Sequence, residues 1–323
     1  MLLAWLGVAV GAALLYFGAE WLVRGGAGLA RRAGLSPLAV GLTVVSLATS
    51  APELGVSLQA ALDEKPQVAI GNVLGSNVAN VGLILGVAAV IMPISVANRV
   101  VKIDLPILAS VSGLLTWILW DGRVNRLEGS LLATGLLVYV LLTLILARRE
   151  TQAANDHVDA ELPPPAGSAW IEALLIVVGL SALAVGSWAL VEGAVVIARW
   201  AGLSDAVIGL TVVAFGTSLP ELAATAVAAT HGEGDIAVGN VVGSNMFNSL
   251  GIVGVTACAC PLDVAEGVGE AGLTGTLHAD LGVMLAAAIV LLPLMRTGYR
   301  VNRWEGLALL TCYAGYVVWL FLR

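Results

Sequence analysis

The chain has 323 residues, of which 59% are hydrophobic and only 11% charged, with a mean hydropathy of +0.95. Water-soluble domains do not carry that composition, and apolar runs of about 20 residues recur along it, each long enough to cross about 30 Å of hydrocarbon. A net charge of −7 and a pI near 4.9 argue against nucleic acid and anionic lipid as partners.

The pattern predicts an all-α polytopic membrane protein of ten transmembrane helices. The first covers residues 2–30. Its start, MLLAWLGVAVGAALLYF, has no basic leader and runs on into more apolar sequence, so it reads as a span and not a cleaved signal. Glu20 and Arg24 lie four apart on it and are expected to pair on one helix face. Spans two to five cover 37–61, 67–93, 101–120 and 127–147. Residues 149–168 are polar, hold three prolines and read as a linker. Spans six to ten cover 169–200, 205–230, 235–260, 277–295 and 303–322. Cys258, Cys260 and Cys312 sit in apolar context, where neither a disulfide nor a zinc site is expected.

Much of this is written twice. Residues 41–87 (GLTVVSLATSAPEL…GNVLGSNVANVGLILG) and 209–255 (GLTVVAFGTSLPEL…GNVVGSNMFNSLGIVG) align without a gap at an offset of 168 (221 − 53), about half of the positions being identical. RVNRLEG (123–129) returns as RVNRWEG (300–306), and ARRAGLS (30–36) as ARWAGLS (198–204). Each half is therefore one five-span unit, residues 1–148 and 169–323. Five is odd, so the second unit must enter the membrane from the other side. Two inverted five-helix repeats are an architecture of secondary transporters. With both termini outside and the linker in the cytoplasm, ten of the fifteen Lys and Arg fall at cytoplasmic ends, as topology favours.

Each copy places a glutamate, Glu53 or Glu221, within an apolar span. A carboxylate there costs at least about 3 kcal/mol, and a chain that installs it twice is expected to bind something positive. Pro52 and Pro220 precede the glutamates directly. Proline has no N–H and blocks the helix, so a kink is expected, with freed carbonyls near 48–49 and 216–217 in need of a partner. Ser46, Ser50 and Glu53 share a helix face with Thr49 beside them, and Ala214, Ser218, Glu221 and Thr217 repeat the arrangement. On the third span Asn72, Ser76 and Asn80 form a stripe; on the eighth, Asn240, Ser244 and Asn248 do. Gly71, Gly75, Gly239 and Gly243 are small-residue faces for close helix approach. Asn72, Asn77, Asn240 and Asn245 read as interhelical hydrogen-bonding groups, and Asn80 and Asn248 as ligands, the latter partly on the resemblance below. Two carboxylates with neutral oxygens suit Ca²⁺ better than Mg²⁺. No histidine or thiol lies in the motifs, which disfavours soft metals. Asp104 and Asp280, near span starts, read as helix-dipole partners. His157, His231 and His278 read as loop residues.

The paired motifs resemble the two alpha repeats of the cation/calcium antiporter superfamily, most nearly the prokaryotic sodium/calcium exchangers, and the likeness covers the whole chain. The resemblance implies that Glu53 and Glu221 are central acidic ligands and that Asn80 and Asn248 complete the middle of the site. Thr49, Ser50, Thr217 and Ser218 would supply hydroxyl or main-chain oxygens, and Ser76 and Ser244 would line flanking sodium positions. Ser46 and Ala214 stand where the family uses main-chain carbonyls. It further implies Ca²⁺/Na⁺ antiport by alternating access in a bacterial inner membrane, with Ca²⁺ and Na⁺ as substrates, the bilayer as surroundings, and neither a cofactor nor an obligate protein partner. Some relatives carry aspartate at the Asn248 position, so potassium dependence is not expected here. A proton-coupled Ca²⁺ antiporter and a potassium-dependent exchanger remain the alternatives. An enzyme is not expected, for no nucleophile–histidine pair accompanies the carboxylates, and no GxxxxGK[ST] marks an ATP-driven pump.

Overall fold

A computed structural model describes residues 1–155, 168–202, 214–264 and 276–322. The helices, in chain order, are α1 (Leu2–Ala33), α2 (Pro37–Thr49), α3 (Ala51–Leu62), α4 (Pro66–Ile91), α5 (Val100–Asp121) and α6 (Arg126–Asn155). After the linker come α7 (Ala169–Trp200), α8 (Ala214–Thr217), α9 (Leu219–Thr230), α10 (Gly234–Ala259), α11 (His278–Arg296) and α12 (Arg303–Leu322). Eight of these are long and apolar enough to cross a membrane, and α2 with α3 makes a ninth, broken span bent by 43°. Of the expected seventh span, 205–230, residues 205–213 lie outside the described residues, and so does His157. The protein is thus an all-helical, multi-span membrane protein. Exposed Trp5, Trp117, Trp170, Trp200 and Trp304 lie at or near helix ends, where indole rings favour the membrane–water boundary.

Two recurrent sequence marks have local physical causes. In AGLS the glycine ends a helix in the left-handed region, Gly34 at φ 61° and Gly202 at φ 86°, a conformation that glycine adopts without a Cβ penalty. Ser36 then starts α2, its Oγ accepting from Ala39 N at 3.3 Å, with Pro37 in the first turn. In RVNRxEG the asparagine and glutamate form a reciprocal cap. Asn125 Oδ1 accepts from Glu128 N at 3.0 Å while Glu128 Oε2 accepts from Asn125 N at 2.8 Å, and Asn302 N donates to Glu305 Oε2 at 2.6 Å. The valines sit in two short strands that tie the halves together. β1 (Ile94–Ser95) pairs with β4 (Arg300–Val301), and β2 (Arg123–Val124) with β3 (Leu262–Asp263), both antiparallel. Arg123 also pairs with Asp263 at 2.8 Å.

The first helices of the two halves run antiparallel along a glycine seam. Gly11 faces Leu190, Gly18 faces Gly179, and Gly25 faces Glu172. A Cβ on Gly18 would lie 2.8 Å from Gly179 O, and one on Gly179 would lie 2.7 Å from Gly18 O. Neither main chain can yield to that, so only glycine permits this approach. An ion pair, Arg32 Nε to Glu172 Oε2 at 2.6 Å, closes one end of the seam, and Glu20 and Arg24 pair on α1 at 2.5 Å as their spacing predicts. Asp104 proves more than a dipole partner: it is buried on α5, 3.6 Å from the buried Arg99.

Candidate cation-binding site

Both glutamate helices break two residues before their proline. Ser50 (φ −83°, ψ 2°) separates α2 from α3, and Ser218 (φ −88°, ψ 5°) separates α8 from α9. Each proline then occupies the first turn of the following helix, where its missing N–H costs nothing. Glu53 and Glu221 fall in those same first turns, where backbone N–H groups and the helix dipole favour a negative charge.

The two breaks meet. Ser50 Oγ donates to Glu221 Oε1 at 3.1 Å, and Ser218 Oγ donates to Glu53 Oε1 at 3.3 Å. Each glutamate is thus held by the serine of the other half. Thr49 and Thr217 are the last residues of α2 and α8, directly before these breaks. The asparagines at the start of the second motif fix the glutamates' backbone. Asn72 Nδ2 donates to Glu53 O at 3.2 Å and Ser57 Oγ at 2.9 Å. Asn240 Nδ2 donates to Glu221 O at 3.4 Å and Thr225 Oγ1 at 2.9 Å, while its Oδ1 accepts from Thr49 Oγ1 at 3.1 Å. These two amides therefore do the interhelical work read from the sequence.

What remains is a set of oxygens with nothing to bind. Glu53, Glu221, Asn80 and Asn248 are 1%, 2%, 1% and 1% exposed. Among the described residues Glu53 Oε2, Glu221 Oε2, Asn80 Oδ1 and Asn248 Oδ1 have no hydrogen-bond partner. Leaving a buried acceptor unpaired costs about 1–3 kcal/mol, more when it is charged, and all four of these acceptors belong to the two matching motifs. Ser244 Oγ, likewise buried, has no partner either. Ser76 and Ser46 are also buried, Ser46 Oγ donating to Thr43 O at 3.3 Å. Ala214 is the first described residue of α8. Among the described residues no three His, Cys, Asp or Glu gather as ligands, so this centre has two acids and otherwise neutral oxygens.

Close approach is one-sided where it is described. A Cβ on Gly239 would lie 2.8 Å from Leu38 O, and one on Gly243 would lie 2.7 Å from Leu42 O, so α10 packs directly against α2. Among the described residues nothing comes within 4 Å of a Cβ on Gly71 or Gly75; residues 203–213, which match the α2 stretch, lie outside them. Further features were not read from the sequence. A wider, π-type helical turn starts at Asn80 (Asn80–Ile84) and another encloses Asn248 (Phe247–Ile252), and such turns mark functional positions in helices. The carbonyl of Gly216, to which Pro220 has no N–H to give, accepts from Ser187 Oγ of α7 at 2.5 Å. The residue matching Ser187 on α1 is Ala19, which has no hydroxyl for Ala48 O.

Together these observations describe a multi-span helical membrane protein in which two buried glutamates, from matching segments of the two halves, are each held by the other half's serine. A sequence profile described as "Sodium/calcium exchanger protein" matches residues 3–145 and 171–322. The chain is 40% identical over 326 residues to "Putative antiporter CaxA" of Alkalimonas amylolytica, covering 99% of each chain. It is 32% identical over 347 residues to "Sodium/calcium exchanger MaX1" of Methanosarcina acetivorans, covering 97% of each. A solved structure of the sodium-calcium exchanger NCX_Mj superposes with a TM-score of 0.83 at 29% identity over 98% of both chains. The chain belongs to the sodium/calcium exchanger family. The names of these relatives are those of exchangers and antiporters.

Proposed function

We propose that the protein is a secondary antiporter exchanging Ca²⁺ for Na⁺ across the membrane by alternating access. The observation that carries this reading is the quartet of unpartnered buried oxygens on Glu53, Glu221, Asn80 and Asn248. Two ionised carboxylates balance one Ca²⁺ or two Na⁺. Amide and hydroxyl oxygens fill out the six to eight hard ligands that Ca²⁺ takes in flexible geometry. Thr49, Ser50, Thr217 and Ser218 hold the carboxylates or lend oxygens, Ser76 and Ser244 flank the centre, and main-chain carbonyls at Ser46 and Ala214 extend it. Ions that share the same carboxylates compete, so one leaves as the other arrives. An empty site keeps two uncompensated charges in an apolar surround, which makes switching sides without cargo costly and suppresses leak.

Ten spans in two inverted repeats (1–148 and 169–323, joined by 149–168) fit this reading, with both termini outside an inner membrane. The antiparallel α1–α7 seam and the crossed Ser50–Glu221 and Ser218–Glu53 bonds support it. The test is ⁴⁵Ca²⁺ uptake into proteoliposomes with Na⁺, K⁺ and pH gradients imposed separately. Uptake driven by an outward Na⁺ gradient alone is the expected result. Uptake that follows only a pH gradient in sodium-free buffer overturns the sodium assignment and leaves proton-coupled exchange.

A further inference from the structure

Asn80 and Asn248 occupy matching positions, yet their amides are held differently. Asn80 Nδ2 donates to Asn245 Oδ1 at 2.9 Å, and Asn245 Nδ2 donates in turn to Asn77 O at 3.4 Å. With its nitrogen so engaged, the Asn80 carboxamide has only its oxygen left for the centre, and that oxygen is buried and unpartnered. Asn77 stands at the position matching Asn245 but does not do the same for Asn248. Its Nδ2 goes to Ser249 Oγ at 2.9 Å and Met284 Sδ at 3.5 Å, and its Oδ1 takes no bond among the described residues. The residue matching Ser249 is Val81 (249 − 168), which has no hydroxyl. Asn245 therefore has no side-chain acceptor there for its nitrogen, and it presents its oxygen to Asn80. One serine-for-valine difference between the halves separates the two amides.

We propose that Asn245 is a positioning residue that locks the Asn80 carboxamide with its oxygen toward the transported cation, and that Asn248 is the unlocked member of the pair. This rests on the antiport reading above. It carries a consequence for charge. An aspartate at 80 would set a carboxylate oxygen against Asn245 Oδ1, acceptor against acceptor, and Asn245 could turn its amide round only by setting that oxygen against Asn77 O. The Asn248 side chain, by contrast, makes no bond among the described residues, so an aspartate there breaks none and replaces no donor that faces a bonded acceptor. The two isosteric substitutions should thus act on Ca²⁺ binding with opposite sign, though a repeat read from sequence alone would treat them as equivalent.

The experiment measures Ca²⁺ half-saturation and maximal rate of Na⁺-driven exchange in proteoliposomes for Asn80→Asp, Asn248→Asp, Asn245→Ala, Asn80→Ala and the double variant Asn80→Ala/Asn245→Ala. Asn248→Asp is expected to lower the half-saturation and Asn80→Asp to raise it. Asn245→Ala is expected to raise it about fivefold to tenfold, the worth of one buried hydrogen bond, with a much smaller change in maximal rate. The double variant is expected to be no worse than Asn80→Ala, since two residues acting through one contact are not additive. Shifts of the same sign for the two aspartates, or additive effects in the double variant, overturn the proposal. The aspartate pair keeps it testable if Asn245→Ala fails to fold. Glu53→Gln and Glu221→Gln run alongside: if both transport like the parent, the antiport reading itself fails. If both are dead while the asparagine variants disobey, only the Asn245 assignment falls.

Discussion

Replacing Glu53 by glutamine removes a charge and little else. The side chains are isosteric, the glutamine oxygen still accepts from Ser218 Oγ where the carboxylate did at 3.3 Å, and the backbone at the break remains held by Asn72. The loss is electrostatic. Two unit charges about 4 Å apart interact by about 4 kcal/mol at an effective dielectric of about 20, so a divalent ion loses about 8 kcal/mol in gross attraction. If about half of that is offset because the neutral site is cheaper to desolvate, about 4 kcal/mol remains. At about 1.4 kcal/mol per decade that is close to a thousandfold in Ca²⁺ half-saturation. Na⁺, with half the charge, loses about half as much on the logarithmic scale, or about thirtyfold. The assay is Ca²⁺ uptake and Na⁺ competition in proteoliposomes with matched protein content. Glu221→Gln should behave alike, since Ser50 holds Glu221 as Ser218 holds Glu53. A half-saturation within threefold of the parent, or equal losses for Na⁺ and Ca²⁺, would refute the reasoning.

Other outcomes follow from the same packing and charges. In Ca²⁺-free detergent, Glu53→Gln is expected to melt higher than the parent, because a buried unpaired charge is gone, and to lose the Ca²⁺-dependent rise in melting temperature; scanning fluorimetry with and without chelator reads both, and an undiminished Ca²⁺ effect contradicts the account. Ser187→Ala leaves Gly216 O without its hydroxyl donor, at a cost of about 1–3 kcal/mol; it should lower the melting temperature by a few degrees and Ser187→Thr should recover it, whereas identical melting of all three would show the bond to be idle. Gly179→Leu drives a side chain into the Gly18 and Leu22 main chain at 2.7 Å and is expected to abolish monodisperse protein on size exclusion, while Gly113→Leu, with no described atom within 4 Å, is expected to be tolerated.

The chain announces its centre because the physics of that centre is costly. A glutamate after a proline in an apolar run has few structural justifications, and two at a fixed offset have fewer. Glu53 and Glu221 could therefore be picked out before any coordinates, and Asn80 and Asn248 with the help of the family resemblance; each of the four has an unpartnered oxygen among the described residues. Helix ends carry residue signals too, Gly34 for a stop and Ser36 with Pro37 for a start, but AGLS, like RVNRxEG with its reciprocal cap, stood in the sequence only as a mark of repetition. What could not be read was partner choice. That Ser50 serves Glu221 and not its own neighbour Glu53 depends on how two breaks face each other in space. That Asn245 turns its oxygen to Asn80 depends on a residue four positions on in the other half's pattern, Ser249 against Val81. The π-type turns at Asn80 and around Asn248 carry no residue signal comparable to a proline or a glycine stop.

The most direct measurement is the position of the ion itself. Crystals grown with Ca²⁺ and measured at long wavelength should give one strong anomalous peak among Glu53, Glu221, Asn80 and Asn248, about 2.3–2.6 Å from oxygens of both carboxylates, and the peak should vanish in Glu53→Gln. A peak elsewhere, or none at a Ca²⁺ concentration that saturates transport, would contradict the account.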